Sequence, residues 1–197
     1  KNGVAYKAGD VHYEDVNEDG IINNKDKQVI GSATPDFFGS FYNHLQYKGF
    51  ALDLTFVYSV GNDAYNAVRR VTESASDFSN QSKAVIRRWN MEGQITDMPR
   101  AQWNDVVGNN DFSDRWIEDA SYLKLRDITF SYTFNKPVWN FFQGGTLYVT
   151  GQNLLNFTKY LGMDPEFSYS YNEAMQGVDY GKVVSPKSVK VGVNLKF

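Results

Sequence analysis

The sequence predicts an all-β fold of antiparallel, amphipathic strands, and three observations predict it. The last ten residues, Ser188 to Phe197, alternate strictly: Val189, Val191, Val193, Leu195 and Phe197 share one phase, and Ser188, Lys190, Gly192, Asn194 and Lys196 share the other. Successive side chains of a strand point to opposite faces, so this segment has one apolar face and one polar face. Four further stretches carry the same period, separated in turn by tight turns and long connections. Finally, no apolar run approaches the roughly 18 residues of a spanning helix, and the mean hydropathy is −0.49. A weak hydropathy signal of this kind does not exclude a membrane barrel, whose strands are only half apolar.

The chain in order begins with an acidic, turn-rich stretch, residues 1–36. Asp10, Glu14, Asp15, Glu18, Asp19, Asp26 and Asp36 stand there against Lys25 and Lys27. Inside it, Asp15 to Asp26 reads D-x-N-x-D-G-x-I-x-x-x-D, close to an EF-hand calcium loop. Asp15, Asn17 and Asp19 would give side-chain oxygens, Gly20 the sharp turn, Ile21 its carbonyl, and Asn23 a contact through water. Asp26 stands where the usual bidentate ligand is Glu; because the other ligand types and the glycine fall in register, a structural calcium ion is expected there. The alternative is an Asx-rich turn without an ion.

Phe37 to Tyr47 reads as a strand, with Phe37, Gly39, Phe41, Leu45 and Tyr47 in phase and Asn43 interrupting them. Lys48-Gly49 is a two-residue hairpin turn. Phe50 to Ser59 returns, with Phe50, Leu52, Leu54, Phe56 and Tyr58 in phase. Residues 60–121 are a long mixed connection, in which Asp63 to Thr72 and Ser82 to Trp89 read as short helices, the second capped by Asn80 or Ser82. Long connections tend to be functional. Trp89, Trp103 and Trp116 within it are candidate contacts for a sugar ring or a partner protein, unless they pin the loop to itself.

Ser121 to Phe134 is the next strand. Its apolar phase switches between Leu123/Leu125 and Ile128/Phe130/Tyr132/Phe134, which predicts a bulge. Asn135 to Gly145 reads as a turn carrying Trp139, Phe141 and Phe142, and Thr146 to Asn153 as the fourth strand. Residues 154–187 are a second long connection before the closing strand. Short turns at one end and long connections at the other is the asymmetry of outer-membrane barrels.

Composition narrows the function classes. A net charge of −3 argues against nucleic acid as a main partner. There is no cysteine, so disulfides and thiolate metal sites are excluded, and two histidines, His12 and His44, leave little for zinc. Paired acids such as Asp114 and Glu118 invite a hydrolase reading, but no nucleophile–base constellation accompanies them and no catalysis is expected. Lys1, with neither an initiating methionine nor a signal peptide, is expected of a processed product or a fragment.

Several blocks together resemble the C-terminal end of a SusC/RagA-type TonB-dependent outer-membrane transporter. They are Asp15–Asp26, Val29-Ile-Gly-Ser-Ala-Thr-Pro-Asp36, Tyr47-Lys-Gly-Phe50, Phe112-Ser-Asp-Arg-Trp-Ile-Glu-Asp-Ala-Ser-Tyr-Leu-Lys-Leu-Arg126, Val149-Thr-Gly-Gln-Asn-Leu154, Tyr160-Leu-Gly-Met-Asp-Pro-Glu166, Val178-Asp-Tyr-Gly181 and the closing strand. They occur in family order over nearly the whole chain. Ala120 replaces a glycine common in the family.

The resemblance implies the C-terminal part of a barrel of about 22 strands with a plugged lumen. It implies import of glycans or peptides, a SusD-like surface lipoprotein, outer-membrane lipid around the wall, and TonB acting on a part outside this chain. It further implies an acidic extracellular loop over 1–36, a transmembrane hairpin over 37–59, an extracellular loop over 60–121 and the remaining strands over 122–197. Phe197 would then be a barrel assembly signal. The alternative from a different class is a secreted, calcium-stabilised β-sandwich that binds glycans.

Overall fold

The structure, a computed structural model, describes residues 4–135, 143–167 and 175–197. The chain divides into two units. One contains Ser32–Asp63, Asp119–Phe167 and Lys182–Phe197, and the other Lys1–Gly31, Ala64–Glu118 and Ser168–Gly181.

The strands among the described residues are β1 (Phe37–Tyr47), β2 (Phe50–Val60), β3 (Asp63–Asn66), β4 (Ile117–Asp119), β5 (Tyr122–Phe134), β6 (Gly144–Thr158), β7 (Val178–Asp179) and β8 (Ser188–Lys196), with helix α1 at Ala67–Thr72. Five of them form one sheet in the order β1-β2-β5-β6-β8, every neighbour antiparallel. No helix among the described residues is long and apolar enough to cross a membrane.

The hairpin β1–β2 closes where Tyr47 faces Phe50. Lys48 and Gly49 both have positive φ, 45° and 87°, the backbone of a two-residue type I′ turn. Gly49 is required twice over: a Cβ there would meet the Thr133 carbonyl at 2.6 Å, and that approach allows Thr133 N–H to donate to the Gly49 carbonyl at 2.7 Å.

The phase switch of β5 is a register shift. Thr55 faces Asp127 while Phe56 faces Leu125, so Arg126 is the extra residue. The bulge returns Leu123 and Leu125 to the face that carries Ile128, Phe130 and Tyr132. Two glycines on this sheet sit beneath tyrosines: Tyr58 lies across Gly39 and Tyr148 across Gly192, where a Cβ would come within 2.7 and 2.2 Å of the ring or hydroxyl. The aromatic rings cover backbone that the glycines leave bare.

Three readings of the sequence are corrected. The helix expected over Asp63 to Thr72 begins only at Ala67, because Tyr65 and Asn66 pair in parallel with Val178 and Asp179. Asn66 then caps the helix by accepting the Arg69 N–H. The helix expected over Ser82 to Trp89 is a 3₁₀ segment, Lys83–Arg87, capped by Ser82 and not by Asn80. The fourth strand runs on past Asn153 to Thr158, which shortens the connection read as 154–187. Asn153 takes a left-handed conformation, φ 53°, and pairing with β5 resumes at Leu155 opposite Leu125. Trp139, Phe141 and Phe142 lie outside the described residues.

The second unit holds a small sheet in the order β4-β3-β7. Its core gathers Ala64, Ala67, Val85, Met98, Val107 and Trp116, all buried.

Candidate functional site

The five-stranded sheet has two unlike faces. Register aligns Phe41 with Phe56, Leu52 with Phe130, Phe130 with Val149, and Val149 with Val191. One face is therefore a continuous row of large apolar groups across every strand. The described residues leave most of it uncovered: Phe41, Phe130, Val149, Val193 and Leu195 are exposed, and Val191 is 77 % exposed. Phe197, in the same phase, is exposed as well. Soluble monomers rarely leave so broad an apolar surface in water.

The opposite face is polar and internally bonded. The hydroxyls of Thr129 and Thr150 meet at 2.9 Å, and those of Thr133 and Thr146 at 3.0 Å. Gln152 Nε2 donates to Asp127 at 2.8 Å, and Lys190 Nζ donates to Gln152 Oε1 at 2.6 Å. Near the Lys48-Gly49 turn, Asp53 accepts the Tyr42 hydroxyl at 2.5 Å and lies 2.7 Å from His44 Nδ1.

On this face the sequence reading missed a charge clamp. Lys124 Nζ donates to both oxygens of Asp164 and to Glu166, while Arg126 donates to Glu166. The Lys124 side chain is 3 % exposed. A buried ammonium is tolerated only when its charge is matched, so the clamp fixes the segment around Pro165 to β5. Tyr160, buried, packs near Phe167 in the same segment. The available signal was a lysine between Leu123 and Leu125 on a strand, with two acids flanking Pro165 downstream.

The three tryptophans of the 60–121 connection take three different places. Trp116 is fully buried, and its indole N–H donates to the Asp111 carbonyl at 3.1 Å. Arg115 stacks on it at 4.2 Å. Trp116 is therefore corrected from candidate contact to core residue: an indole with its donor satisfied packs best away from water. Trp89 is half-buried, against Gly9, where a Cβ would meet its ring at 2.4 Å. Trp103 is exposed beside Phe78.

Around Trp116 the charges are paired. Arg69 donates to Glu73 at 3.0 Å and to Glu118 at 2.8 Å. Burial alone would lower the Arg69 pKa, but Glu118 and Glu73 outweigh it and raise it. Glu118 is thereby committed to a structural pair, which removes the acid pairing with Asp114. A second pair ties the acidic stretch to the connection: Arg100 Nε donates to Asp10 at 2.6 Å and Asn109 Nδ2 to the same oxygen at 3.1 Å.

Asp15–Asp26 forms a tight, exposed loop. Asp15 accepts the N–H groups of Asp19 and Gly20, and Asp19 accepts that of Ile21. Asp26 accepts those of Val16 and Asn23. Gly20 has φ +76° with open space around it, so conformation and not crowding calls for glycine. The Ile21 carbonyl accepts Asn23 Nδ2 at 2.8 Å. Among the described residues no three acidic or histidine side chains are disposed as a ready metal-ligand group.

No family model matches the chain. TonB-dependent receptor P3 of Formosa agariphila is 33% identical over 196 residues, covering 94% of this chain and 19% of that protein. TonB-dependent receptor SusC of Bacteroides thetaiotaomicron is 26% identical over 190 residues, covering 94% and 17%. Among solved structures, the RagAB peptide transporter matches with a TM-score of 0.73 at 28% identity, over 90% of this chain and 19% of that one. The RagAB peptide importer in its open-open state matches with 0.70 at 29% identity, over 86% and 18%. The chain thus spans about a fifth of the length of the relatives it matches. By sequence along almost its whole length and by fold, this chain belongs to the SusC/RagA-type TonB-dependent receptors.

Proposed function

We propose that this chain supplies wall strands and outer loops to a TonB-dependent nutrient importer of the outer membrane, which takes in glycans or peptides together with a SusD-like surface lipoprotein. The observation that carries the reading is the two-faced sheet. Its apolar row suits lipid, where each large side chain withdrawn from water gains about 1.5–3 kcal/mol. Its bonded polar face suits an aqueous, plugged lumen. Phe197 extends the lipid-facing row and serves barrel assembly. The plug, the remaining strands of a barrel of about 22 and the part that engages TonB lie outside this chain.

The Tyr47/Phe50 turn, the facing ends of β5 and β6 at Phe134 and Gly145, and Lys196 of β8 lie at one end of the sheet, and the long connections leave from the other. In the importer the short turns face the periplasm and the long connections face outward. Asp15–Asp26 then meets calcium-rich medium. Asp15, Asn17, Asp19, the Ile21 carbonyl and Asp26 offer the hard oxygen donors that calcium prefers. The bound ion would neutralise the clustered acids and stiffen the loop, without catalysis. A glycan-binding sandwich would need a second sheet over Val189–Leu195, and their exposure gives that reading no support.

The test places single cysteines in full-length protein from which any other cysteines have been removed. Labelled positions 149 and 193 should be quenched by brominated lipid in outer-membrane vesicles, and positions 150 and 194 should not. Equal behaviour of the two sets would overturn the assignment.

A further inference from the structure

Resting on the importer reading for which face meets the lumen, we propose that Tyr160–Phe167 is a releasable strap. It lies folded against the lumen-facing wall near the outer end of β5 and lifts from it as one body when the Arg126–Glu166 contact gives way. Lys124 faces Val57 of β2 and Asn156 of β6, and Asp127 faces Thr55, all on the side opposite the apolar row. Glu166 touches both Lys124 and Arg126. The bulge lets Arg126 reach that side without turning Ile128 and Phe130 off the apolar one. Closed, the strap narrows the outer lumen from this wall; lifted, it widens it.

The strap is packed on itself and joined to β5 by charge. The rings of Tyr160 and Phe167 lie 5.6 Å apart, and a Cβ at Gly162 would run into the Tyr160 ring. Asp164 Oδ1 accepts the Glu166 N–H at 3.0 Å across Pro165, a turn that presents the two carboxylates as a ready pair. These contacts lie within the strap and survive its lifting. Leu161 and Met163 stay exposed and add no apolar burial to the docking.

The two halves of the attachment differ. The side chains of Lys124 and Asp164 are 3 % and 12 % exposed, and those of Arg126 and Glu166 are 39 % and 34 % exposed. Water and salt reach the second pair and weaken it. Removing one partner while the strap is closed strands a buried charge. Lifting the strap strands none, because all four charges then meet the aqueous lumen. The closed position also carries a cost. Among the described residues, Arg126 Nε and Asn156 Oδ1 are buried without a hydrogen-bond partner, and lifting lets water reach both. A body that keeps its own packing, held by a charge latch over dry polar atoms, has two positions and not one.

The experiment uses the full-length protein in outer-membrane vesicles, with any other cysteines removed and nitroxide spin labels at position 163 on the strap and position 131 on the polar face of β5. Pulsed electron resonance reads the distribution of label separations. At about 0.01 M salt one separation should dominate. Glu166→Gln should raise a second, longer one about fivefold, the scale of one lost exposed ion pair. Arg126→Gln should act alike, and Asn194→Asp, elsewhere on the polar face, should not. About 1 M salt should raise the same second separation with the latch intact. A distribution unchanged in Glu166→Gln would overturn the strap; should that variant not reach the membrane, an unchanged distribution at about 1 M salt decides in its place. A broad spread with no dominant separation at low salt would show that no strap is seated, and would overturn it as well. Outer-membrane level and heat-modifiable migration report separately on the importer reading: a protein that folds in the membrane with one fixed separation keeps that reading and loses the strap.

Discussion

Lys124 Nζ sits 2.8 and 2.9 Å from the two carboxylate oxygens of Asp164, and the two residues are 40 positions apart in the chain. Glu166 adds a third oxygen at 2.9 Å. The ammonium is almost wholly enclosed, so its charge is compatible with the fold only through these acids. Lys124→Met should therefore destabilise by about 3–5 kcal/mol, the cost of leaving buried charge without its partner. Glu166→Gln should cost less, because Asp164 still neutralises Lys124 and Glu166 is more open to water. Thermal unfolding of the full-length protein, with proteolysis of the segment around Pro165 as a local readout, measures both. Wild-type melting of Lys124→Met would refute the argument.

The same clamp shows what the sequence displays and what it hides. Side-chain period is local, so the strand Ser188–Lys196 and the bulge in β5 were legible from alternation alone. Asn153 was not: a left-handed Asn followed by Leu154 reads as the end of a strand, although β6 resumes beyond it. Pairing at a distance leaves no local mark. Asp63–Asn66 became a strand because Val178–Asp179 lies beside it, and Lys124 read only as a polar-phase residue because its acids are remote. Trp116 and Trp103 are the same residue type, and only tertiary packing buries one and exposes the other.

The two-faced sheet makes a directional claim about neighbouring residues. Val193→Arg, in the exposed apolar row, should cost about 2–4 kcal/mol if it lies near the bilayer midplane. Asn194→Asp, one residue away on the polar face, should be nearly neutral. Folded outer-membrane protein, scored by heat-modifiable migration, distinguishes them, and similar losses for the two variants would count against the orientation.

Asp10 gives the unit that contains it an acid-side dependence. Burial pushes its carboxyl up, but hydrogen bonds from Arg100, Asn109 and the Lys7 N–H outweigh burial and hold its pKa below the ordinary 3.8. A lowered folded-state pKa contributes stability that is complete above the unfolded value and lost as pH falls through the folded one. The contact should thus persist from neutrality to about pH 4 and weaken below it. Val11 N–H, which donates to Asn109 Oδ1 at 2.9 Å, reports on it by hydrogen exchange corrected for intrinsic rate. Asp10→Asn should flatten the dependence, and a profile identical to wild type would exclude Asp10 as its source.

Calcium should bind Asp15–Asp26 weakly and stiffen it. The loop offers Asp15, Asn17 and Asp19 at alternating positions, the Ile21 carbonyl after the Gly20 turn, and Asp26 at its end. Asp26 is one methylene shorter than the usual closing Glu, which argues for an affinity of about 10⁻⁴–10⁻³ M, the range of extracellular modules. At ten times its dissociation constant, calcium would stabilise the folded loop by about 1.4 kcal/mol. Millimolar calcium should therefore raise the melting temperature of the full-length protein, and chelator should lower it. Magnesium should not substitute, because this irregular donor set lacks its near-ideal octahedral geometry. Asp19→Ala should abolish the difference, and Asp26→Glu should enlarge it by supplying a bidentate ligand. A melting temperature indifferent to both calcium and chelator would leave Asp15–Asp26 as an Asx-rich turn held by its own backbone N–H groups, the arrangement in which Asp26 already accepts the Asn23 N–H at 2.6 Å.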